Sequence, residues 1–405
     1  MSLALSIMSL RHPEVLADPY RFYERLRTEA PVLRDPAGVW LVSRYADVMT
    51  GLQSGVVSSN RLDQVRQLRP DADDAEIRAF FEALKLQLLF LDPPAHTRLR
   101  RLITRAFTPA RVEAMRGRIA AIVERLLDAA VDGGQLEVIG DLAVPLPMMV
   151  ICDMLNIPEA DRPRLKRWSE DYATFLGGSI TLPHDTMVRL ARSMAEFMAY
   201  FRDLCQRRRQ EPGDDLLTVL LQAKDGGETL DRDDVCATSV LLIAAGHETT
   251  TNLIGNGLLA LLRQPAAMAT LRAMPSVDAA TIEELLRFDS PVQMVVRRAT
   301  EELPLGDMRI PAGAVVYFVI GSANRDPERF ALPDQLDLGR ANNRHLAFGQ
   351  GPHYCVGAPL ARLEAQEALS AILRRAGELR LGEEPAWRPN PALRGLATLP
   401  IAIAG

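Results

Sequence analysis

The chain has 405 residues, 48% of them hydrophobic and 24% charged, with a net charge of -5. That is enough apolar material for a large core, and the acidic balance argues against general nucleic-acid binding. The four cysteines, Cys152, Cys205, Cys236 and Cys355, lie far apart without a CxxC pair, which excludes a disulfide framework or zinc ribbon and suits a reducing cytoplasm.

The opening stretch MSLALSIMSLRHPEV has no basic start and only about ten mildly apolar residues before Arg11, too few for a signal peptide or membrane anchor. A soluble cytoplasmic protein is expected. Apolar residues recurring at three and four predict a helix over residues 18–30, and GVWLVS (38–43) predicts a short strand. The acidic run at 71–76 reads as a solvated loop, and FFEALKLQLLFL (80–91) as a greasy wall. Helical periodicity returns over 111–131, 187–210 and 280–288, while AVVYFVI (314–320) and LATLPIAIA (396–404) predict strands. The fold class is therefore mainly α with small β-sheets.

Residues 235–262 form the strangest segment. Glu248 is its only acidic side chain, and it holds no Lys or Arg. Ser239, Thr249, Thr250, Thr251 and Asn252 interrupt it, so a long helix buried on all sides fits better than a membrane span. A carboxylate placed mid-core is costly unless hydrogen-bonded or functional. His247-Glu248 opens like the zinc motif HExxH, but Thr251 stands where the second histidine belongs.

The stretch RHLAFGQGPHYCVGAPLARLEAQ (344–366) sets Cys355 behind two glycines, Pro352 and His353. GQGPHY begins like a dinucleotide loop, yet Tyr354 replaces the third glycine. The glycines and proline fit an irregular loop, and the sequence turns helical from about Val356. A helix N-terminus offers N–H donors and a positive dipole end, which favour thiolate. Gly349, Gly351 and Gly357 lack side chains, so something flat and bulky can approach the backbone. The plain alternative is a small buried structural cysteine. Glu284 and Arg287 form an ExxR pair, but Glu24–Arg27 and Glu113–Arg116 share that spacing, and a surface pair of this kind is worth only a few tenths of a kcal/mol.

In combination these segments resemble one family, the cytochrome P-450 haem-thiolate monooxygenases of the soluble bacterial kind. FGQGPHYCVG (348–357) is similar to the family's cysteine loop, Phe-Gly-x-Gly-x-His-x-Cys-x-Gly, and AGHETT (245–250) to its dioxygen-activating helix. EELLRFDSPV (283–292) carries the ExxR helix, and DPPAHTRLRRLITRAFTP (92–109) the haem-edge helix. ANRDPERF (323–330) and PDQLDLGRANNRHLAFG (333–349) are like the meander leading into the cysteine loop. The motifs stand in the family's order from about residue 18 onward.

The resemblance implies a cytochrome P-450 fold, a single catalytic domain over residues 1–405, and haem b buried between the long central helix and the cysteine-loop helix. Cys355 would be the axial thiolate and sole protein ligand of the iron, with Phe348 packed near the sulfur and Gly357 leaving room beside it. His96, Arg100, Arg297 and His353 would hold propionates, and Ala245 would line the haem. Glu248 and Thr249 would relay protons toward dioxygen, the co-substrate, while Glu284 and Arg287 would be structural. The implied reaction inserts one oxygen atom of dioxygen into an apolar organic small molecule, by hydroxylation or epoxidation.

Residues 98–118 hold seven arginines, from Arg98 to Arg118, against the single acid Glu113. By the resemblance this basic stretch would dock a ferredoxin-type electron donor through electrostatic steering, against the alternative of a merely solvated face. No reductase module follows before Gly405, so electrons would come from separate partners; no nucleic-acid or membrane partner is expected. Substrate contacts are expected from residues 58–91, 168–186 and 396–398, and from Leu241, Leu242, Ala245, Val295 and Val296. Two rivals are a peroxide-driven enzyme, which Glu248-Thr249 disfavours, and a haem sensor without turnover.

Overall fold

The computed structural model describes residues 3–67, 69–130, 134–178, 182–225, 227–274, 276–375 and 378–404. Ten helices position the features discussed below: α1 (Tyr20–Glu29), α2 (Tyr45–Gln53), α3 (Ala75–Lys85), α4 (Ala95–Ala106), α5 (Arg116–Ala130), α6 (Arg162–Gly178), α7 (His184–Gln210), α8 (Arg232–Leu262), α9 (Ala279–Phe288) and α10 (Ala358–Arg375). The strands are β1 (Val32–Arg34), β2 (Trp40–Val42), β3 (Val57–Ser58), β4 (Gln135–Glu137), β5 (Lys224–Asp225), β6 (Glu228–Thr229), β7 (Val295–Ala299), β8 (Leu303–Leu305), β9 (Met308–Ile310), β10 (Val315–Phe318), β11 (Glu378–Leu381) and β12 (Pro400–Ala404). No helix among the described residues is long and apolar enough to cross a membrane.

The chain divides into two compact units. The first gathers the residues up to Ser58, Arg116–Leu146 and everything from Thr249 onward. Its main sheet has the order β1-β2-β10-β7-β3, with β10 parallel to β2 and antiparallel to β7. The β-branched and aromatic residues of β2 and β10 fill the core beneath: Trp40, Val42, Val316 and Phe318 pack with Val48 and Leu52 of α2. Helix α2 lies so close to the sheet that a Cβ on Gly51 would fall 2.1 Å from the Phe318 ring. Only glycine fits there. A smaller sheet, β11-β12-β4, joins the C-terminal strand to β4, and α10 packs on α5 and α9.

The second unit comprises Ser59–Met115 and Pro147–Glu248. Here α7 packs on α3 and α6, Phe80 of α3 lies edge-on to Phe175 of α6 at 4.9 Å, and Trp168 of α6 packs against Phe197 of α7 at 5.1 Å. Helix α8 runs without a break from the second unit into the first.

Three expectations change. The periodic segment 111–131 is not one helix: Pro109–Ala114, capped by the Thr108 hydroxyl accepting from Arg111 N–H, ends at Met115, whose N–H turns back to Val112, and α5 begins anew. Val131 lies outside the described residues. The acidic run 71–76 is not simply solvated. Asp74 caps α3 by accepting from the N–H groups of Glu76 and Ile77, and Asp71 pairs with buried Arg69 at 2.7 Å and with His184 at 3.2 Å. The stretch 80–91 is largely core, since Phe80, Phe81, Leu84, Leu88 and Phe90 are buried.

Candidate active site

Cys355 sits in a loop closed by its own backbone. Gly349 N–H donates to Leu346 O (2.8 Å), Tyr354 N–H to Gly351 O (3.1 Å) and Cys355 N–H to Phe348 O (2.9 Å). Gly349 and Gly351 take the left-handed conformation, φ +72° and +73°, that these turns demand. Helix α10 starts at Ala358, slightly later than the sequence indicates, so the positive end of its dipole lies three residues beyond the sulfur. Cys355 is exposed, whereas Cys152, Cys205 and Cys236 are buried. Of the four thiols, this is the one the loop presents.

The three glycines do different work. A Cβ on Gly357 would lie 3.9 Å from Cys355 Sγ, an ordinary contact, so this position stays open beside the sulfur. Gly351 is not open: a Cβ there would sit 2.6 Å from the Leu52 carbonyl at the end of α2. Its missing side chain serves packing against α2 and not the approach of a flat ligand.

The loop is pinned from behind by two carboxylates in sequence. Glu284 accepts from Arg287 (2.8 Å through both Nε and Nη2), Arg340 Nε (3.0 Å), Asn343 Nδ2 (3.1 Å) and Asp337 N–H (2.9 Å). Arg287 in turn donates to the carbonyls of Asn324, Pro333 and Gln335. This ExxR pair is thus a fully buried knot tying α9 to the meander, unlike a surface pair of the same spacing. Glu283 next to it holds His345 Nε2 at 3.0 Å and Arg362 of α10, whose guanidinium stacks over Phe348 at 4.5 Å. Ala347 N–H donates to His345 Nδ1, so Nε2 carries the proton donated to Glu283. Burial would raise the Glu283 carboxyl, but the His345 and Arg362 hydrogen bonds outweigh it and hold the group down at about 2. Sequence reading missed Glu283 and Arg362, because only the fold makes them neighbours.

Helix α8 is not buried all round. Leu241, Leu242 and Thr249 are half-buried, and Ala245 and Gly246 are exposed, giving an accessible stripe at four-residue spacing through an otherwise buried helix. A Cβ on Gly246 would meet nothing within 4 Å. Glu248 is buried, Thr249 follows it, and Thr251 donates to the Ala143 carbonyl at 2.8 Å. On α4, His96 is buried and Arg100 half-buried, one turn apart. Arg297 is the buried arginine of β7, its guanidinium bonding the Val296 carbonyl, while Val295 and Val296 are half-buried. In the tail, Leu396 is buried and Ala397 and Thr398 are exposed; within 168–186, residues 179–181 lie outside the described residues.

The basic stretch is partly neutralised. Arg98 pairs with Asp234 and Arg101 with Glu228, each at 2.7 Å, and Arg105 donates to the Lys224 carbonyl at 2.6 Å. Arg116 pairs with Glu367. A sequence window shows seven cations together, but most of these partners come from more than a hundred residues away.

The donor set fits a haem. A presented thiol, with small residues beside it, can supply an axial thiolate. Within the first unit Arg297 and His353 are of the residue types that pair with carboxylates, and within the second His96 and Arg100 are as well. The exposed Ala245-Gly246 stretch leaves a helix face without bulky side chains.

The sequence profile of the family Cytochrome P-450 matches residues 69–377. The chain is 39% identical to Cytochrome P-450 107B1 of Saccharopolyspora erythraea over 95% of both chains. It is 40% identical to the cytochrome P-450 monooxygenase PikC of Streptomyces venezuelae, over 95% of this chain and 91% of that one. The crystal structure of P-450BioI, in complex with an acyl carrier protein ligated to hexadec-9Z-enoic acid, superposes with a TM-score of 0.89 at 35% identity. That match covers 97% of this chain and 99% of the other. The family implies a haem cofactor with a cysteine thiolate ligand. The chain belongs to the cytochrome P-450 family, has its mainly helical fold, and is an oxidoreductase of the monooxygenase type.

Proposed function

We propose that the protein inserts one oxygen atom of dioxygen into an apolar organic small molecule, with haem b held between α8 and α10 and both units acting as one catalytic domain over residues 1–405. The observation that carries this reading is the exposed Cys355 in a loop locked by Gly349, Gly351 and the Glu283 and Glu284 anchors. Haem, when bound, supplies the oxygen-activating chemistry. Cys355 Sγ would hold its iron, Phe348 and Gly357 would shape the space around the sulfur, and His96, Arg100, Arg297 and His353 would hold its carboxylates. Ala245 and Gly246 leave room along α8 for the ring and for dioxygen. The Glu248 carboxylate collects a proton from solvent, and the Thr249 hydroxyl passes it on at the reacting end.

Leu241, Leu242, Val295 and Val296 offer the substrate an apolar surface, in keeping with the fatty acyl chain carried in the P-450BioI complex. Electrons come from a ferredoxin-type donor in the cytoplasm, docking on what remains of the basic surface between Arg98 and Arg118, with exposed Arg111 at its centre.

The reduced carbonyl adduct of the reconstituted protein is expected to show the strongly red-shifted Soret band of a thiolate haem; a globin-like band in freshly folded protein removes Cys355 as the ligand. Thr249→Ala is expected to retain that band while electron consumption rises severalfold over product formed. Unchanged coupling takes Thr249 out of the relay.

A further inference from the structure

Cys205 and Cys236 have no part in the chemistry above, yet they face each other. Cys205 lies in the last two turns of α7 and Cys236 in the second turn of α8, both within the same compact unit and both fully buried. Their sulfurs are 3.8 Å apart and hydrogen-bonded. A disulfide needs about 2.05 Å, so bond formation requires the sulfurs to close by roughly 1.8 Å. Helix ends are also where a packed structure opens most easily to a small reagent.

The pair is chemically unequal. The contact with Cys236 holds Cys205 below the ordinary thiol range against burial, with Arg209 and Arg232 adding to the effect. The same contact and burial push Cys236 up. In the proposed chemistry Cys205 attacks first and Cys236 resolves, since either sulfur can donate in the contact between them. Cys152 provides the contrast: burial raises its thiol to about 12, and its sulfur contacts Met148 Sδ at 3.7 Å.

We propose that Cys205 and Cys236 form a reversible disulfide, an oxidation site that ties the end of α7 to the start of α8 when a peroxide reaches the pair. Cys205 sulfur attacks one peroxide oxygen, the O–O bond breaks, and the leaving oxygen takes the Cys205 proton to become water. Cys236 sulfur then displaces the hydroxyl from the sulfenic acid, the S–S bond forms, and the Cys236 proton leaves with that hydroxyl as a second water. The two thiols are oxidised by two electrons in total and the peroxide is reduced. The same helix α8 carries Glu248 and Thr249, so the bond would fasten the start of the reaction helix to α7.

The test treats the holoenzyme with a small excess of hydrogen peroxide, alkylates the remaining thiols in denaturant, and maps the peptides without reduction. Titratable thiols are expected to fall from the four in the sequence to two, with the Cys205 and Cys236 peptides joined and released by dithiothreitol. The oxidised protein should melt on the order of 5 °C higher, as expected for closing a loop of this length. Cys205→Ser should keep all three of its remaining thiols after the same treatment. Four thiols surviving in the wild type, sulfenic or sulfinic acid without cross-linking, or linkage through Cys152, Cys355 or a second molecule would each overturn the proposal. If Cys205→Ser does not fold, the wild-type peptide map decides alone.

Discussion

Glu284→Ala is expected to lower the stability of the protein by about 3–5 kcal/mol, the cost of leaving buried charge uncompensated. The side chains of Arg287 and Glu284 are 0% and 1% exposed, and Arg340 is almost as deep. Alanine removes the acceptor for both guanidiniums, for Asn343 and for the Asp337 N–H at one stroke. Glu284→Gln keeps the shape but not the charge, and should fall between wild type and alanine. Arg287→Lys should also be poorly tolerated, because an ammonium cannot reach Glu284 and the carbonyls of Asn324, Pro333 and Gln335 from one planar fork. Urea unfolding of the purified variants measures the loss, and haem content per chain measures its effect on the cysteine loop. A change below about 1 kcal/mol would place this knot among ordinary surface pairs.

Glu364→Gln is expected to act in the opposite direction, and only at high pH. Glu364 lies on α10, 2% exposed, and its Oε2 has no hydrogen-bond partner among the described residues. Burial alone pushes its carboxyl from 4.5 up to about 8. Below pH 4.5 the folded and unfolded chains both hold this proton, and the group leaves stability unchanged. Between 4.5 and 8 the unfolded chain releases it while the folded chain keeps it, so stability falls by about 1.4 kcal/mol per pH unit. Above 8 both forms are ionised and the loss levels off. Glutamine does not titrate, so the variant should stay close to the wild type near pH 5 and exceed it by about 4–5 kcal/mol at pH 8.5, an order-of-magnitude figure from the same linkage. Urea midpoints at those two pH values separate the cases: parallel curves for the two proteins would mean that Glu364 finds a partner when folded.

Periodicity and motif spacing carried most of the architecture. The apolar pattern marks α7, α8 and α9 to within a few residues, and the glycine-rich run before Cys355 marks the loop. Local pattern does not report what distant segments contribute. Arg98 and Arg101 look like a free basic face until Asp234 and Glu228 arrive from the far side of the sequence. Glu283 looks like a second acid beside ExxR until Arg362 and His345 fold onto it. The opening along α8 has the same cause: an all-apolar helix reads as uniformly buried, and only tertiary packing selects the stripe at Ala245 and Gly246 that stays accessible. The motifs were legible because each is local to a short segment, whereas the scaffolding around them is built from long-range pairs.

Helix α2 has a consequence of its own. One side rests on the Phe318 ring where Gly51 has no side chain, and its last turn meets the cysteine loop where Gly351 has none. The helix is in effect a spacer of fixed thickness between the five-stranded sheet and the sulfur-bearing loop. A methyl group added at either end would be transmitted through the helix as a displacement of Cys355, without touching the sulfur's own surroundings. Gly38 also has positive φ, yet nothing lies within 4 Å of its Cβ position, so there the strain would stay local to the turn. At Gly51 and Gly351 it is close packing along this line, not distance from the thiol, that limits substitution.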